Sequence, residues 1–311
     1  MGKGIAVRYL RGEGINMVKT LKNNKYKKYS EMNNSEKQLV FKFINSNNKD
    51  ITSISKLDEM FCGKIYDKGN GVIFCFNDQE VIGKVAVVLE CITPLRTSFI
   101  HGIEIKEEFK ENIDILMELI YEGKKVAIEY GAKSIKLGIR DEKTLINLKK
   151  VGINTEYSAI KMNLVDRSIK EKILNLERLT QENSRKYKEI FNDSFSDMPH
   201  GTWLDDEKLN EYLNCEEENE YYFMVKDDDN IIGFMNSVIE NDEGMFDIGL
   251  CKQYRRKGFG KRLLETAIYF LNSKNVKKIS LIVIEKNKVA HEMYKKRGFY
   301  KENTISYWIE L

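Results

Sequence analysis

Two glycines set among arginines and lysines mark the stretch best suited to chemistry: Lys252-Gln253-Tyr254-Arg255-Arg256-Lys257-Gly258-Phe259-Gly260-Lys261-Arg262. Six of its residues are basic and none is acidic. An apolar, strand-like run, Met245-Phe246-Asp247-Ile248-Gly249-Leu250-Cys251, leads into it. Beyond it Leu263, Leu264, Ala267, Ile268 and Leu271 recur at helical spacing and form one apolar stripe. A strand feeding a basic, glycine-bearing turn that opens a helix is a cradle for phosphate. The first N–H groups of a helix have no intrahelical partner, and the helix dipole places about half a positive charge there. Gly258 and Gly260 remove the side chains that would hold a diphosphate away from those donors.

Positioning a cradle takes a sheet, and the hydrophobic pattern supplies one twice. In the first half, Ser35 reads as the N-cap of a helix, with Gln38 in capping-box spacing and Leu39, Val40, Phe43 and Ile44 on the apolar face. A second helix follows near 54–61, then a hairpin of 72–76 and 81–88 about Asn77-Asp78. Strand 99–105, a helix with Ile115 to Ala127 on its stripe, strand 133–139, a short helix to Lys150 and a closing strand 157–164 complete the unit. The second half repeats that order. It has strand 173–179, helices 180–195 and 205–213, and a hairpin of 221–225 and 231–239 turning at Asp227-Asp228-Asp229-Asn230. The strand into the cradle, its helix, the apolar strand Ile279-Ser280-Leu281-Ile282-Val283-Ile284, a short helix and a closing strand 304–311 follow. A period of about 145 residues is a duplicated domain rather than a solenoid array. The expected domains are therefore 1–165 and 166–311, with the charged segment 166–172 as linker. Residues 1–33 are basic and polar and carry no element pattern.

With 311 residues, each half is long enough for its own core. The 51 basic and 48 acidic residues nearly cancel, so nothing draws the whole chain to nucleic acid or an anionic membrane, and any electrostatic function must be local. The five cysteines form no C-x-x-C pair and the three histidines share no metal-ligand spacing, which points to a reduced, cytoplasmic protein without a metal. No apolar run is long enough to span a bilayer, and the start lacks a signal-peptide core.

The Arg255-x-x-Gly258-x-Gly260 pattern, in its strand–turn–helix setting, resembles motif A of the GNAT acyltransferases, which grips the pyrophosphate of acyl-CoA. The later stretch Glu285-Lys286-Asn287-Lys288-Val289-Ala290-His291-Glu292-Met293-Tyr294-Lys295-Lys296-Arg297-Gly298-Phe299 resembles the family's motif B. There Asn287 follows the strand, Ala290 and Tyr294 lie on a short helix, and Gly298-Phe299 closes it. The resemblance implies an α/β (α+β) fold of two tandem GNAT-like domains, each a mixed, mostly antiparallel central sheet flanked by helices. It implies acetyl-CoA as donor, with no metal, and transfer of the acetyl group to a primary amine of a small molecule or peptide by direct attack in a ternary complex.

The same resemblance assigns residues. The backbone of Leu250, Cys251 and Lys252 would pair with the pantetheine arm, with the Leu250 N–H facing the thioester oxygen. Arg255, Arg256, Lys257, Gly258, Phe259, Gly260 and Lys261 would hold the diphosphate, and Asn287 and Tyr294 complete the donor site. Tyr294 matches the general acid, a phenol that can donate to the departing thiolate; an aromatic packed on an amphipathic helix is the structural alternative. For the general base the candidates are Asp247, on the strand where the family often places a carboxylate, His200, and a chain of waters. His200 and Trp203 sit in the Met198-Pro199-His200-Gly201-Thr202-Trp203 loop, which borders the acceptor site in the family.

Where the second half has its cradle, the first reads Lys106-Glu107-Glu108-Phe109-Lys110-Glu111-Asn112-Ile113-Asp114-Ile115-Leu116. This turn has no glycine and several carboxylates that would repel a pyrophosphate, and Leu148 falls where Tyr294 stands. The first half is therefore read as GNAT-like but without a donor site. The chain would be a monomer, its halves forming a pseudo-dimer, or a homodimer. Two other readings of the tandem fold are a non-catalytic CoA-sensing or interaction protein and an aminoacyl-tRNA-dependent transferase. The second needs no intact pyrophosphate loop, so residues 255–260 argue against it; Tyr294 beside the cradle favours catalysis over sensing. A nucleic-acid patch fits the glycine spacing and near-neutral surroundings less well.

Overall fold

The computed structural model describes residues 24–47, 51–215 and 219–311. The chain divides into two compact units, Met1–Tyr157 with Ser306–Leu311, and Ser158–Ile305. In the first, β1 (Asn24–Lys28) is followed by α1 (Asn34–Asn47), α2 (Ile54–Phe61), β2 (Val72–Asn77), β3 (Glu80–Val88), β4 (Thr97–Ile105), α3 (Ile113–Glu129), β5 (Ser134–Ile139) and α4 (Glu142–Lys150). β1 to β4 are antiparallel neighbours and β4 runs parallel to β5. The stripe of α3 (Ile115, Leu116, Leu119, Ile120, Ala127) packs with Val85, Val87, Ile100 and Leu137. α1 and α2 bury Val40, Phe43, Leu57 and Phe61 with Tyr29 and Phe74. The cap of α1 is Asn33 rather than Ser35. The Asn33 side chain accepts from the Glu36 N–H at 3.0 Å and Glu36 accepts from the Asn33 N–H at 2.9 Å, a reciprocal pair two residues earlier than the Ser35 spacing suggests.

The second unit runs from β6 (Tyr157–Leu164) through β7 (Asn175–Arg178), α5 (Ser184–Phe195), α6 (Asp206–Leu213), β8 (Glu220–Asp227), β9 (Asn230–Glu240), β10 (Glu243–Leu250), α7 (Phe259–Ser273), β11 (Lys278–Ile284) and α8 (Lys288–Arg297) into β12 (Phe299–Glu310). β7, β8, β9 and β10 are antiparallel in turn; β10 runs parallel to β11. Alternate residues of these strands serve opposite faces. Val225, Met235 and Phe246 pack with Leu263, Leu264, Ala267 and Ile268 of α7. On the other face Met224, Phe234 and Cys251 lie under Tyr187, Ile190 and Phe191 of α5 and Leu209 of α6. Glu265 and Arg297, both buried, form an ion pair that locks α7 to α8, and Arg297 also donates to the Asp166 and Ser168 carbonyls at 3.0 and 2.7 Å.

The closing strands depart from the expectation that each half ends its own sheet. β6 lies antiparallel to β11, with Ala159 opposite Ile284 and Leu164 opposite Ile279. The end of β12 lies against β5, with Tyr307 opposite Ile139 and Glu310 opposite Lys136. Residues 158–165, assigned by pattern to the first domain, and 306–311, assigned to the second, therefore sit in the other unit. An alternating strand pattern specifies a face and a register, but not which of two similar edges it will pair with.

Candidate active site

β10 and β11 pair only from Glu243 opposite Lys278 to Met245 opposite Ser280, and then part. The Cys251 N–H donates to the Ile232 carbonyl at 2.9 Å. N–H directions alternate along a strand, so the Leu250 N–H turns to the opposite edge, the one β11 has left. A single turn, Lys252–Tyr254, then leads into the basic loop. Arg256 (φ 61°) and Gly258 (φ 88°) are both left-handed. For Arg256 that conformation costs about 1 kcal/mol, strain of a kind that collects at ligand loops.

Gly258 caps α7 without a side-chain bond to the helix donors. A Cβ added at Gly258 would meet nothing within 4 Å, and one at Gly260 would meet only Met293 Sδ at 3.3 Å and Leu250 Cδ1 at 3.9 Å. Open space in front of uncapped N–H groups is what a diphosphate requires. Among the described residues no ion pair engages Arg256 or Lys261, and the Lys257 amine lies 5.8 Å from the Tyr254 ring. Phe259 packs edge-on to Tyr254 at 5.9 Å. The N-terminus of α3 in the first unit is closed off: the Asn112 side chain accepts from the N–H groups of Asp114 and Ile115 at 3.0 and 3.3 Å.

Arg255 is employed differently from its neighbours. Its guanidinium binds both oxygens of Asp197 at 2.7 and 3.0 Å and donates to the carbonyls of Ser194 and Leu250 at 2.9 and 3.2 Å. That pairing holds the Asp197 carboxyl below the usual carboxylate range. The Lys252 N–H donates to Asp193 at 2.8 Å and its amine reaches Ser196 Oγ at 3.2 Å. These bonds tie the end of α5 and the loop after it to the basic turn. Asn287 caps α8, accepting from the Ala290 N–H at 3.3 Å, and its amide reaches Met198 Sδ at 3.6 Å.

Tyr294 is 8% exposed on α8, its ring 5.9 Å from Phe299, and no hydrogen bond among the described residues takes its hydroxyl. Burial, and then the nearby Asp247, raise its phenol above the ordinary value, so it stays protonated at neutral pH. Asp247 stands on the α5/α6 face. The register sets Tyr222, Asn236 and Asp247 in one cross-strand row and Glu220, Val238 and Met245 in the next. With Tyr212 of α6 and Ile282 of β11 these side chains line a cavity of about 240 Å³. Asp247 is itself exposed at that open cavity. The protein packed about the carboxylate still thins the solvent around its charge, which raises its pKa above the ordinary carboxylate value. Asp247 and Leu250 share a strand and stand about 10 Å apart along it.

Tyr212 and Tyr222 stack with centroids 4.1 Å apart and planes at 15°. The Tyr222 hydroxyl donates to Glu220, and the Cys215 thiol lies 3.5 Å from the same carboxylate. The Tyr187 hydroxyl donates to Asn236 Oδ1 at 2.5 Å and fixes that amide. Burial first, then Asp247, Glu220 and Glu211, push the Tyr212 phenol up to about 12. His200 and Trp203 do not line this cavity. Their loop is pinned where Asn192 exchanges bonds with Leu204 at 2.9 and 2.8 Å, and Trp203 is 40% exposed. Sequence reading missed Tyr212, Glu220, Tyr222 and Asn236. The i, i+2 spacing of Glu220 and Tyr222 was a usable signal, but only a known register could set it opposite Asp247.

Residues 180–299 match the model of the acetyltransferase (GNAT) family. Over 86 residues the chain is 36% identical to the uncharacterized protein YxbD of Bacillus subtilis (strain 168), a match covering 28% of this chain and 53% of that protein. The chain thus spans about half the length of that relative. Among solved structures it resembles a GCN5-related N-acetyltransferase from Sphaerobacter thermophilus, with TM-score 0.59 and 13% identity over 93% of this chain and 95% of that one. It also resembles a probable N-acyltransferase from Enterococcus faecalis V583, with TM-score 0.61 and 11% identity over 93% and 72% of the two chains. At such identities the likeness is one of fold. Among the described residues no helix is long and apolar enough to cross a membrane.

Proposed function

We propose that this chain is an N-acetyltransferase that moves the acetyl group of acetyl-CoA to a primary amine of a small molecule or peptide by direct attack. The observation that carries the reading is Asp247: an unpaired carboxylate in a cavity without a basic lining residue, on the same strand as the open-edge Leu250 N–H. An ammonium must shed a proton before its lone pair can attack, and the second N–H proton leaves as the amide forms. Asp247, its affinity for protons raised by the protein around it, accepts the ammonium proton. The nitrogen bonds to the acetyl carbon, the C–S bond breaks, the thiolate takes the proton of the Tyr294 hydroxyl, and the second N–H proton, lost as the amide forms, returns to the Tyr294 oxygen. The Leu250 N–H, fixed before the reaction, stabilises the oxyanion between these events.

The diphosphate is held by the α7 N–H groups with Arg256, Lys257 and Lys261, while Arg255 keeps the acceptor-side loop against the turn. The first unit would be a degenerate copy without a donor site, its helix donors already taken by Asn112. Five unpaired cysteines support a cytoplasmic location. The test is thiol release from acetyl-CoA with a panel of amines, for wild type and Asp247→Asn. Turnover with at least one amine that collapses in the variant supports the reading. Equal turnover in the variant removes Asp247 from it.

A further inference from the structure

The cavity described above holds more negative charge than one amine can answer. Asp247 and Glu220 both line it, neither has a cationic partner among the described residues, and no lysine, arginine or histidine is part of the lining. Lys208, 5.7 Å from the Tyr212 ring, pairs with Glu211 and is not part of the lining either. Glu220 receives a phenol and a thiol, which orient its carboxylate without neutralising it. A cation bound at Asp247 would leave Glu220 unanswered beside an aromatic stack, an arrangement that itself attracts cations.

We propose that the acceptor is a compact dication, an aliphatic diamine whose reacting nitrogen faces Asp247 while its second ammonium rests between Glu220 and the Tyr212–Tyr222 stack. The sheet sets the span. Glu220 and Asp247 lie two strands apart and two residues out of register, which places their Cα atoms about 12 Å apart. Both side chains reach inward from those positions, so the gap left between their carboxylates suits a short run of methylenes. Val238, Met245 and Ile282 supply the apolar surface for such a run. At about 240 Å³ the cavity is smaller than sites for drug-sized ligands, which favours a short chain over an aminoglycoside or a peptide. This inference deepens the acetyltransferase reading and rests on Asp247 marking the acceptor end.

The experiment is calorimetry on the full chain, with CoA present, using diaminobutane, diaminopentane, butylamine and a lysine-containing peptide. A diamine should bind at least tenfold more tightly than butylamine. Glu220→Gln should bring the diamine down to the affinity of butylamine, and Tyr212→Leu should weaken the diamine severalfold. Equal binding of diamine and monoamine, preference for the peptide, or indifference to Glu220→Gln in a variant that melts like wild type would overturn the proposal. Thiol release from acetyl-CoA, read in parallel, separates the two ideas. A diamine preference in binding without thiol release from any amine sinks the acetyltransferase reading and leaves the dication site standing. Thiol release that is equal for butylamine and the diamines sinks the dication site alone.

Discussion

Replacing Gly260 with aspartate should strengthen the fold and weaken the donor site at once. Gly260 is the second residue of α7, and a Cβ there meets only the flexible end of Met293 at 3.3 Å. Glycine inside a helix costs about 0.5–1 kcal/mol relative to alanine, and an acidic side chain in the first turn gains about 0.3–1 kcal/mol from the dipole. The small shift required of Met293 offsets part of this, so the free protein should gain up to about 1 kcal/mol and melt a few degrees higher. The donor meets the opposite sign. Two unit charges about 5 Å apart repel by about 1–3 kcal/mol at effective dielectric constants of about 80 to 20. A diphosphate offers more than one such charge, so acetyl-CoA affinity should fall at least tenfold.

Calorimetry with acetyl-CoA and melting with and without it read both signs in one preparation. Gly260→Asn separates charge from bulk: it should weaken binding less than the aspartate. Added salt should narrow the gap between the two variants, because the charge part is screened. Affinity in Gly260→Asp within threefold of wild type would refute the cradle. A free variant that melts several degrees lower would refute the packing argument instead.

Tyr294→Phe should lower turnover tenfold or more with acetyl-CoA affinity nearly unchanged, because the hydroxyl acts on the leaving thiolate; unchanged turnover would make Tyr294 a packed aromatic. The acid limb of the pH–rate profile should lie above the ordinary carboxylate range, since the protein around it raises the Asp247 pKa, and Asp247→Asn should abolish that limb. A carboxyl with a raised folded-state pKa favours the fold most at low pH and loses that contribution as pH rises through it. Asp247→Asn should therefore melt higher than wild type near neutral pH, and a lower melting point would contradict that argument. Arg297→Ala leaves Glu265 buried and unpaired and should cost about 3–5 kcal/mol in denaturant unfolding, whereas replacing both residues with methionine should recover most of it. Titration should give one acetyl-CoA per chain, and two would mean that the first unit has a donor site after all.

Elements were legible wherever periodicity was strong. The stripes of α3 and α7 and the hairpins of β2–β3 and β8–β9 stand within a few residues of their sequence patterns, because burial selects every third or fourth residue of a helix and every second of a strand. The cap of α1 was misread by two residues because Asn33-Asn34-Ser35 offers three capping side chains in a row, and only the return bond from Glu36 chooses among them. The basic turn was legible because glycine at a left-handed position leaves a trace in composition. The task of Arg255 was not, since its partner Asp197 stands 58 residues away in sequence and charge alone cannot say whether a guanidinium awaits a ligand or holds a loop. The cavity was the least legible part. It is built by register, with Tyr222 opposite Asn236 and Asn236 opposite Asp247, and each of these residues taken singly is an ordinary strand residue.

The N-termini of α3 and α7 carry the contrast between the two units furthest. At α3, Asn112 fills the space before the helix with its own side-chain oxygen and satisfies two N–H groups. A cap of this kind is worth about 1 kcal/mol to the fold. At α7 the cap position holds Gly258, no side chain takes the donors, and Arg256 two residues before it is strained. The second unit thus forgoes a cap and bears a strained residue, for a combined cost of about 2 kcal/mol. Folding alone would favour the arrangement of the first unit in both places. The proposed diphosphate would account for both the open donors and the strain, since its oxygens would take the place at α7 that Asn112 Oδ1 fills at α3.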